Sequence, residues 1–272
     1  MATTAHPFAF ARPDSGNIPL PSAPLVRTIA QVRFPLLTRF STDEDAVAKS
    51  IAASLADQYP LMNVGHEVAV TINPDGGVSE NRGPMRIWRL VSGDGAWQIT
   101  FCGTFLSIDT SQYVRRREFA QRLADAWIAL NKHVAVPYVD RLGVRYINQV
   151  TAKEHLDKLS ELLRPEVLGI ATEQDENAVL ASALTEARYD FPDKASFLAR
   201  WGLLPAGTSI DNVKPAYSYP TWILDMDSFT EFGAGTKDGT DIYEDVRELA
   251  LRAYQFFRWA VTEEFLTSFG GE

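Results

Sequence analysis

Cysteine and histidine are scarce in this chain. Cys102 is the only thiol, and the four histidines stand apart as His6, His66, His133 and His155. One cysteine excludes an intrachain disulfide and suits a reducing compartment. No two histidines lie four residues apart, so the paired-imidazole metal site of a helix is excluded. No apolar run approaches the roughly 18 residues of a membrane-spanning helix, and no basic-plus-apolar leader opens the chain, so we expect a soluble, cytoplasmic protein. A G-x-S-x-G nucleophile elbow is missing too. Gly76-Gly77, Gly93-x-Gly95 and Gly233-x-Gly235 lack the strand-loop-helix context of a phosphate cradle and read as hairpin turns. Positive charge is the minority: 26 Lys and Arg against 35 Asp and Glu give a net charge of −9, which repels phosphate backbones and argues against broad nucleic-acid binding. Arg115, Arg116, Arg117 and Arg122 form the one basic cluster, read as the solvated face of a helix start.

What the chain does have is apolar patterning. Hydrophobic residues make up 46% of 272, enough for one wide core. Residues 1–24 carry five prolines and no periodicity and read as an extended arm, with Phe8 and Phe10 available to dock on this chain or on a second copy. Leu25–Phe34 alternates as a half-buried strand. Ser41 or Thr42 then caps a helix with Val47, Ile51 and Leu55 on its apolar face. Strands are expected at 66–73, 85–92 and 96–110, with a turn at Pro74–Gly77. A helix follows from about Val114 to Lys132, burying Phe119, Leu123 and Trp127.

The order then restarts, with a strand at Arg141–Val150, a helix at Ala152–Leu163, strands at 183–191, 196–204 and 221–232, and a helix from Asp241 to Ser268. Three positions recur in order: Arg33 with Arg145, Arg89 with Arg200, and Asp109 with Asp227. The expected fold is α+β, an internal duplication of a β-α-β-β-β-α unit over 25–139 and 140–272, with mostly antiparallel sheet and helices packed on one face. The halves form one compact domain or two intimate ones, and a functional site is expected where they meet.

Six blocks strengthen this picture: PLVRTIAQVRFP (24–35), GAWQITFCGTFLSIDTSQY (95–113), RLGVRYIN (141–148), RWGLLP (200–205), WILDMDSF (222–229) and FRWAVTEEF (257–265). Their succession resembles a sporadically distributed, uncharacterised family of bacterial proteins of about this length. The resemblance spans Pro24 to Phe265 and implies a bacterial α+β protein. A patchy distribution implies an accessory component of a defence or toxin-related locus. It supplies no catalytic residue.

The side chains themselves suggest three functions. In the first, Arg33 and Arg145 alternate away from the apolar strand face together with Gln31 and Gln149. With Asp109 and Asp227, they would line a groove between pseudo-symmetric halves, where a non-enzymatic binding module recognises a partner protein or a small anionic ligand. The same arginines could instead pair with Asp109 and Asp227 as structural ion pairs. In the second, Asp225, Asp227 and Asp241 would hold a hard cation for phosphoester chemistry, although Asp241 and Glu244 also fit a helix cap. In the third, a duplicated curved sheet would bind nucleic acid, which the net charge opposes. Cys102, beside Phe101 on an apolar strand, reads as buried and inert. No cofactor is expected, and the arm offers a route to a homo-oligomer.

Overall fold

The computed structural model describes residues 9–11, 18–72, 78–172, 177–208 and 217–271. Strand β1 (Leu25–Arg33) leads through two helices, α1 (Thr38–Thr42) and α2 (Glu44–Leu55), to β2 (Leu61–Ile72) and β3 (Val78–Val91). Then come β4 (Trp97–Phe101), β5 (Phe105–Thr110) and the long helix α3 (Arg116–Val134). The second half runs β6 (Arg141–Val150), three one-turn helices α4 (Lys153–Leu156), α5 (Leu159–Leu162) and α6 (Pro165–Leu168), then β7 (Ala183–Asp190), β8 (Ala195–Leu204) and β9 (Thr221–Glu231). It closes with α7 (Ile242–Ala260) and α8 (Glu263–Ser268).

The strands build one nine-stranded antiparallel sheet in the order β2-β3-β4-β5-β1-β6-β9-β8-β7. β1 and β6 pair at the join of the halves, so the sheet continues from one half into the other. Alternation decides which side chains face the core. Thr28, Ala30 and Val32 on β1, Leu106 and Ile108 on β5, and Val144 and Tyr146 on β6 are all buried. Helices α3 and α7 pack on each other and reach β5, β6 and β9. Each large apolar side chain buried here contributes about 1.5–3 kcal/mol of transfer free energy.

Several boundaries differ from the sequence-based expectation. Residues 96–110 form two strands, because the chain reverses at Cys102–Thr104, where the Cys102 N–H donates to the Phe105 carbonyl. Apolar residues on both sides of a single glycine hide that turn in the sequence. The first half is therefore β-α-β-β-β-β-α and the unit expected for both halves is found only in the second. The expected Ser41 or Thr42 cap is replaced by Asp43, whose carboxylate accepts from the Ala46 N–H. The terminal helix breaks at Val261, which is extended and bridges to Leu163. The Thr262 hydroxyl then caps α8. The expected turn at Pro74–Gly77 and Phe8 of the arm lie outside the described residues. Phe10 docks on its own chain, edge-on to Tyr189, Phe191 and Phe197.

The fifth strand also affects the three recurring positions. Counting outward from the central β1–β6 pair, Arg89 lies on the fourth strand and Arg200 on the third, so these two are not at related places. Asp109 and Asp227 occupy the second strand on either side and share one rung, which runs Asp109, Ile29, Arg145, Asp227. Relating Arg33 to Arg145 requires a two-fold axis through the Gln31–Gly143 rung, whereas relating Asp109 to Asp227 requires one through Ile29–Arg145.

Gly202 in β8 has φ 135°, and a Cβ there would lie 1.9 Å from the Ala183 carbonyl oxygen. Both the backbone region and the space exclude a side chain. Gly202→Ala should therefore lower stability by about 3 kcal/mol or more in urea unfolding, the cost of a strained backbone and a main-chain clash together.

Candidate functional site

The sheet face turned away from α3 and α7 carries a network of alternating charges. Strand pairing places opposite residues on one face, so Arg145 of β6 lies between Ile29 of β1 and Asp227 of β9, with Leu198 of β8 beyond. Along the next rung Arg27, Ile147, Asp225, Arg200 and Glu186 follow in order. Arg145 binds Asp225 through two parallel bonds, Nε to Oδ1 and Nη2 to Oδ2, both 2.7 Å. Arg141 donates to Asp227 at 2.9 Å with its guanidinium over the Phe229 ring, and Arg27 lies 3.1 Å from Asp109. Arg200 pairs with Glu186.

The expected residues thus sit on this face, with different partners. Asp109 and Asp227 pair with Arg27 and Arg141, and Arg145 takes Asp225. Arg33 is exposed and donates to the Gln31 side chain at 2.8 Å. Gln149 is buried and donates to the Thr221 hydroxyl. The geometry gives Arg145 and Asp225 the character of a structural pair and leaves Arg33 as the exposed arginine of the two. Asp225 and Asp227 are each committed to an arginine, while Asp241 starts α7 without a side-chain capping bond and faces Lys237 at 4.0 Å. Among the described residues no three His, Cys, Asp or Glu side chains are grouped as metal ligands.

On the opposite side, beneath the helices, lies a cavity of about 560 Å³. Its walls come from both halves and from the arm: the β5–α3 connection at Ser111–Arg116, β6 at Tyr146 and Asn148, Met226 of β9, Ala250, Ala253, Tyr254 and Phe257 of α7, and the segment from Ile18 to Leu25. Small side chains create the space. Ala250 and Ala253 are buried on α7 where the rest of its apolar stripe carries Val246, Leu249 and Phe256. Met226 and Tyr146 share a rung and form the floor, whereas Ser111, Gln112 and Val114 are exposed at the mouth.

The polar groups of the cavity are rich in donors. Tyr146 and Tyr113 share one hydrogen bond of 3.2 Å, so whichever donates, one hydroxyl hydrogen is left over. Tyr254 accepts from the Ile18 N–H at 3.1 Å and keeps its own hydrogen. Burial raises the Tyr113 and Tyr146 hydroxyls above their usual range, so both stay protonated at neutral pH, and the Arg116 charge reaches both. Among the described residues Arg116 is the one charged side chain of the lining, on a chain whose net charge is −9.

None of Arg33, Arg145, Gln31, Gln149, Asp109 and Asp227 lines this cavity. At the junction between the halves lies a cavity, beneath the helices. The sequence signal that could have found it is the pair of alanines within the α7 stripe, together with Tyr146, which alternation assigns to the buried face.

Two outcomes test the charge network. Asp225→Asn removes one partner of a bidentate pair and should cost about 2 kcal/mol, less than a fully buried pair because Arg145 keeps some solvent. Asp225→Leu combined with Arg145→Met should recover most of that loss in denaturant unfolding. Burial raises the Asp227 carboxyl above the usual carboxylate range, with Asp225 adding to the rise and Arg141 and Arg145 opposing it. A raised folded pKa means the protonated form favours folding, and this contribution fades as pH climbs from the unfolded value through the folded one. Asp227→Asn should therefore be tolerated better near neutrality than at about pH 3, as a pH series of unfolding curves would show.

No protein-family model matches the chain, and a search of curated proteins finds no match. The family resemblance remains an expectation resting on its six sequence blocks.

Proposed function

We propose that this protein is a non-enzymatic binding module that takes a small anionic ligand into the cavity between its two halves. The observation that carries this reading is the cavity itself: an apolar-walled space of about 560 Å³ whose one lining charge among the described residues is the Arg116 guanidinium. Binding sites for small molecules have this size and this economy of polar groups. Among the described residues the lining holds no carboxylate, imidazole or thiol to act as general base or nucleophile, which favours binding over catalysis. The opposite sheet face favours neither metal nor nucleic acid. Its carboxylates are tied to arginines, and its charges alternate in sign, whereas a phosphate backbone needs a continuous positive track. The placement of β1 with β6 and β5 with β9, and of a long helix after each of β5 and β9, supports descent of the halves from one unit, with an added strand in the first. Assignment to a defence or toxin-related locus rests on the family resemblance.

A thermal-shift screen of small carboxylates, phosphates, amines and neutral sugars tests this. Acids should raise the midpoint and Arg116→Gln should abolish the rise. Mass spectrometry should return the bound compound unchanged. A response confined to amines, or one unaffected by Arg116→Gln, would refute the anionic reading, and conversion of the compound would refute the non-enzymatic one.

A further inference from the structure

We infer that the outer edge of β2 is a docking strand for a second copy of this chain, which pairs with it antiparallel across a two-fold axis and carries the sheet from one molecule into the next. β2 and β7 are the two ends of the sheet, and each presents main-chain N–H and C=O groups with no further strand beside them among the described residues. The two ends are protected differently. β7 carries Glu186, Arg188 and Asp190, charges of the kind that keep an edge from pairing, and they form ion pairs, Glu186 with Arg200 and Arg188 with Asp190. On β2 the run Leu61–His66 holds no Asp, Glu, Lys or Arg, and Leu61, Met62 and Val64 are all exposed. Three large apolar side chains open to solvent thus fall within four consecutive residues of one edge.

That run rests on the body of the sheet. Leu61 to Val64 pair with Val91 to Trp88 of β3, the same residues that pair with β4 on their other side, so the backbone of this edge is fixed from behind. Met62 and Val64 lie beside Leu90 and Trp88, which are buried under the helices, and the core therefore ends on an open apolar rim. An irregularity between His66 and Val68 then breaks the ladder and limits the regular edge to six residues.

A copy of the same run is the occupant that fits. When a sheet continues antiparallel into its own copy, the two-fold axis stands perpendicular to the sheet and keeps each face on its own side. An axis at Asn63 sets Met62 opposite the partner's Val64 and Leu61 opposite the partner's Gly65, while the two Asn63 amides meet at the centre. Every pair so formed is uncharged. Charge favours the copy over an acidic or basic partner, because the run offers neither a counter-ion, and two molecules of net charge −9 approach best along a strip that carries none. Six residues a side are far fewer than the roughly 20 of a stable interface, so the dimer is reversible, with Kd on the order of 100 μM.

Sedimentation equilibrium of the full chain from about 10 μM to about 1 mM tests the inference, and the average mass should rise toward that of a dimer. Val64→Lys, a change at an exposed position, should weaken association about tenfold or more, because each copy then sets a charge against the partner's Met62. Leu184→Lys on β7, equally exposed, should leave association unchanged. Asn63→Cys should form an intermolecular disulfide under mild oxidation, since the two thiols face each other across the axis and the native Cys102 is buried. Leu61→Cys, set opposite a glycine, should cross-link far less. The cysteine pair keeps the test readable if Val64→Lys fails to fold. A chain that stays monomeric at about 1 mM, a dimer that folded Val64→Lys leaves intact, or Asn63→Cys that cross-links no better than Leu61→Cys would overturn the inference. A dimer lost with Leu184→Lys alone would overturn it too, by placing the contact at β7.

Discussion

The antiparallel pairing of β1 with β6 is the constraint on which the rest of the structure depends. β1 forms its ladder with β5 on one side and with β6 on the other, so one strand carries the main-chain hydrogen bonds of both halves. Without that pairing the sheet would split into five- and four-stranded pieces, each with a new edge of unpaired amides. Its register also assigns neighbours on both faces: Ala30 meets Val144 under the helices, and Ile29 meets Arg145 on the open side. A slip of one residue would send each apolar set to the wrong face.

From that pairing follow two surfaces of opposite character. On the helix side, α3 and α7 lean on each other over the central strands. Where α7 carries alanines, the helix and sheet leave a space roofed by the arm. On the open side, the same alternation lines up arginines and carboxylates from neighbouring strands, which satisfy one another. This network keeps a wide sheet face polar without leaving its carboxylates unpartnered. The two faces differ for a packing reason: most arginines of the charged face pair with its own acids, while the helix side encloses unfilled volume.

The strand periods, the long helices and the α+β class were legible because they follow from local alternation and helical spacing. Leu25–Arg33 and Arg141–Val150 lie close to where alternation predicts them. The turn at Cys102–Thr104 was not legible, since neither a proline nor an Asn-Gly pair marks it. The break at Val261 was hidden as well, because it is set by a bridge to Leu163, almost a hundred residues earlier. Arg27 as the partner of Asp109, and Asp225 as the partner of Arg145, follow from cross-strand register, which no single strand contains.

By itself, then, the sequence determined which residues form strands and helices and which face of each is apolar, because those properties arise from neighbours two to four positions apart. It also determined the acidic balance and excluded an intrachain disulfide. Only the tertiary structure decided which arginine meets which aspartate, that the first half carries a fifth strand, and that two alanines, three tyrosines and Arg116 surround one cavity. Those outcomes depend on register and helix placement, which bring together residues as far apart as Ile18 and Phe257.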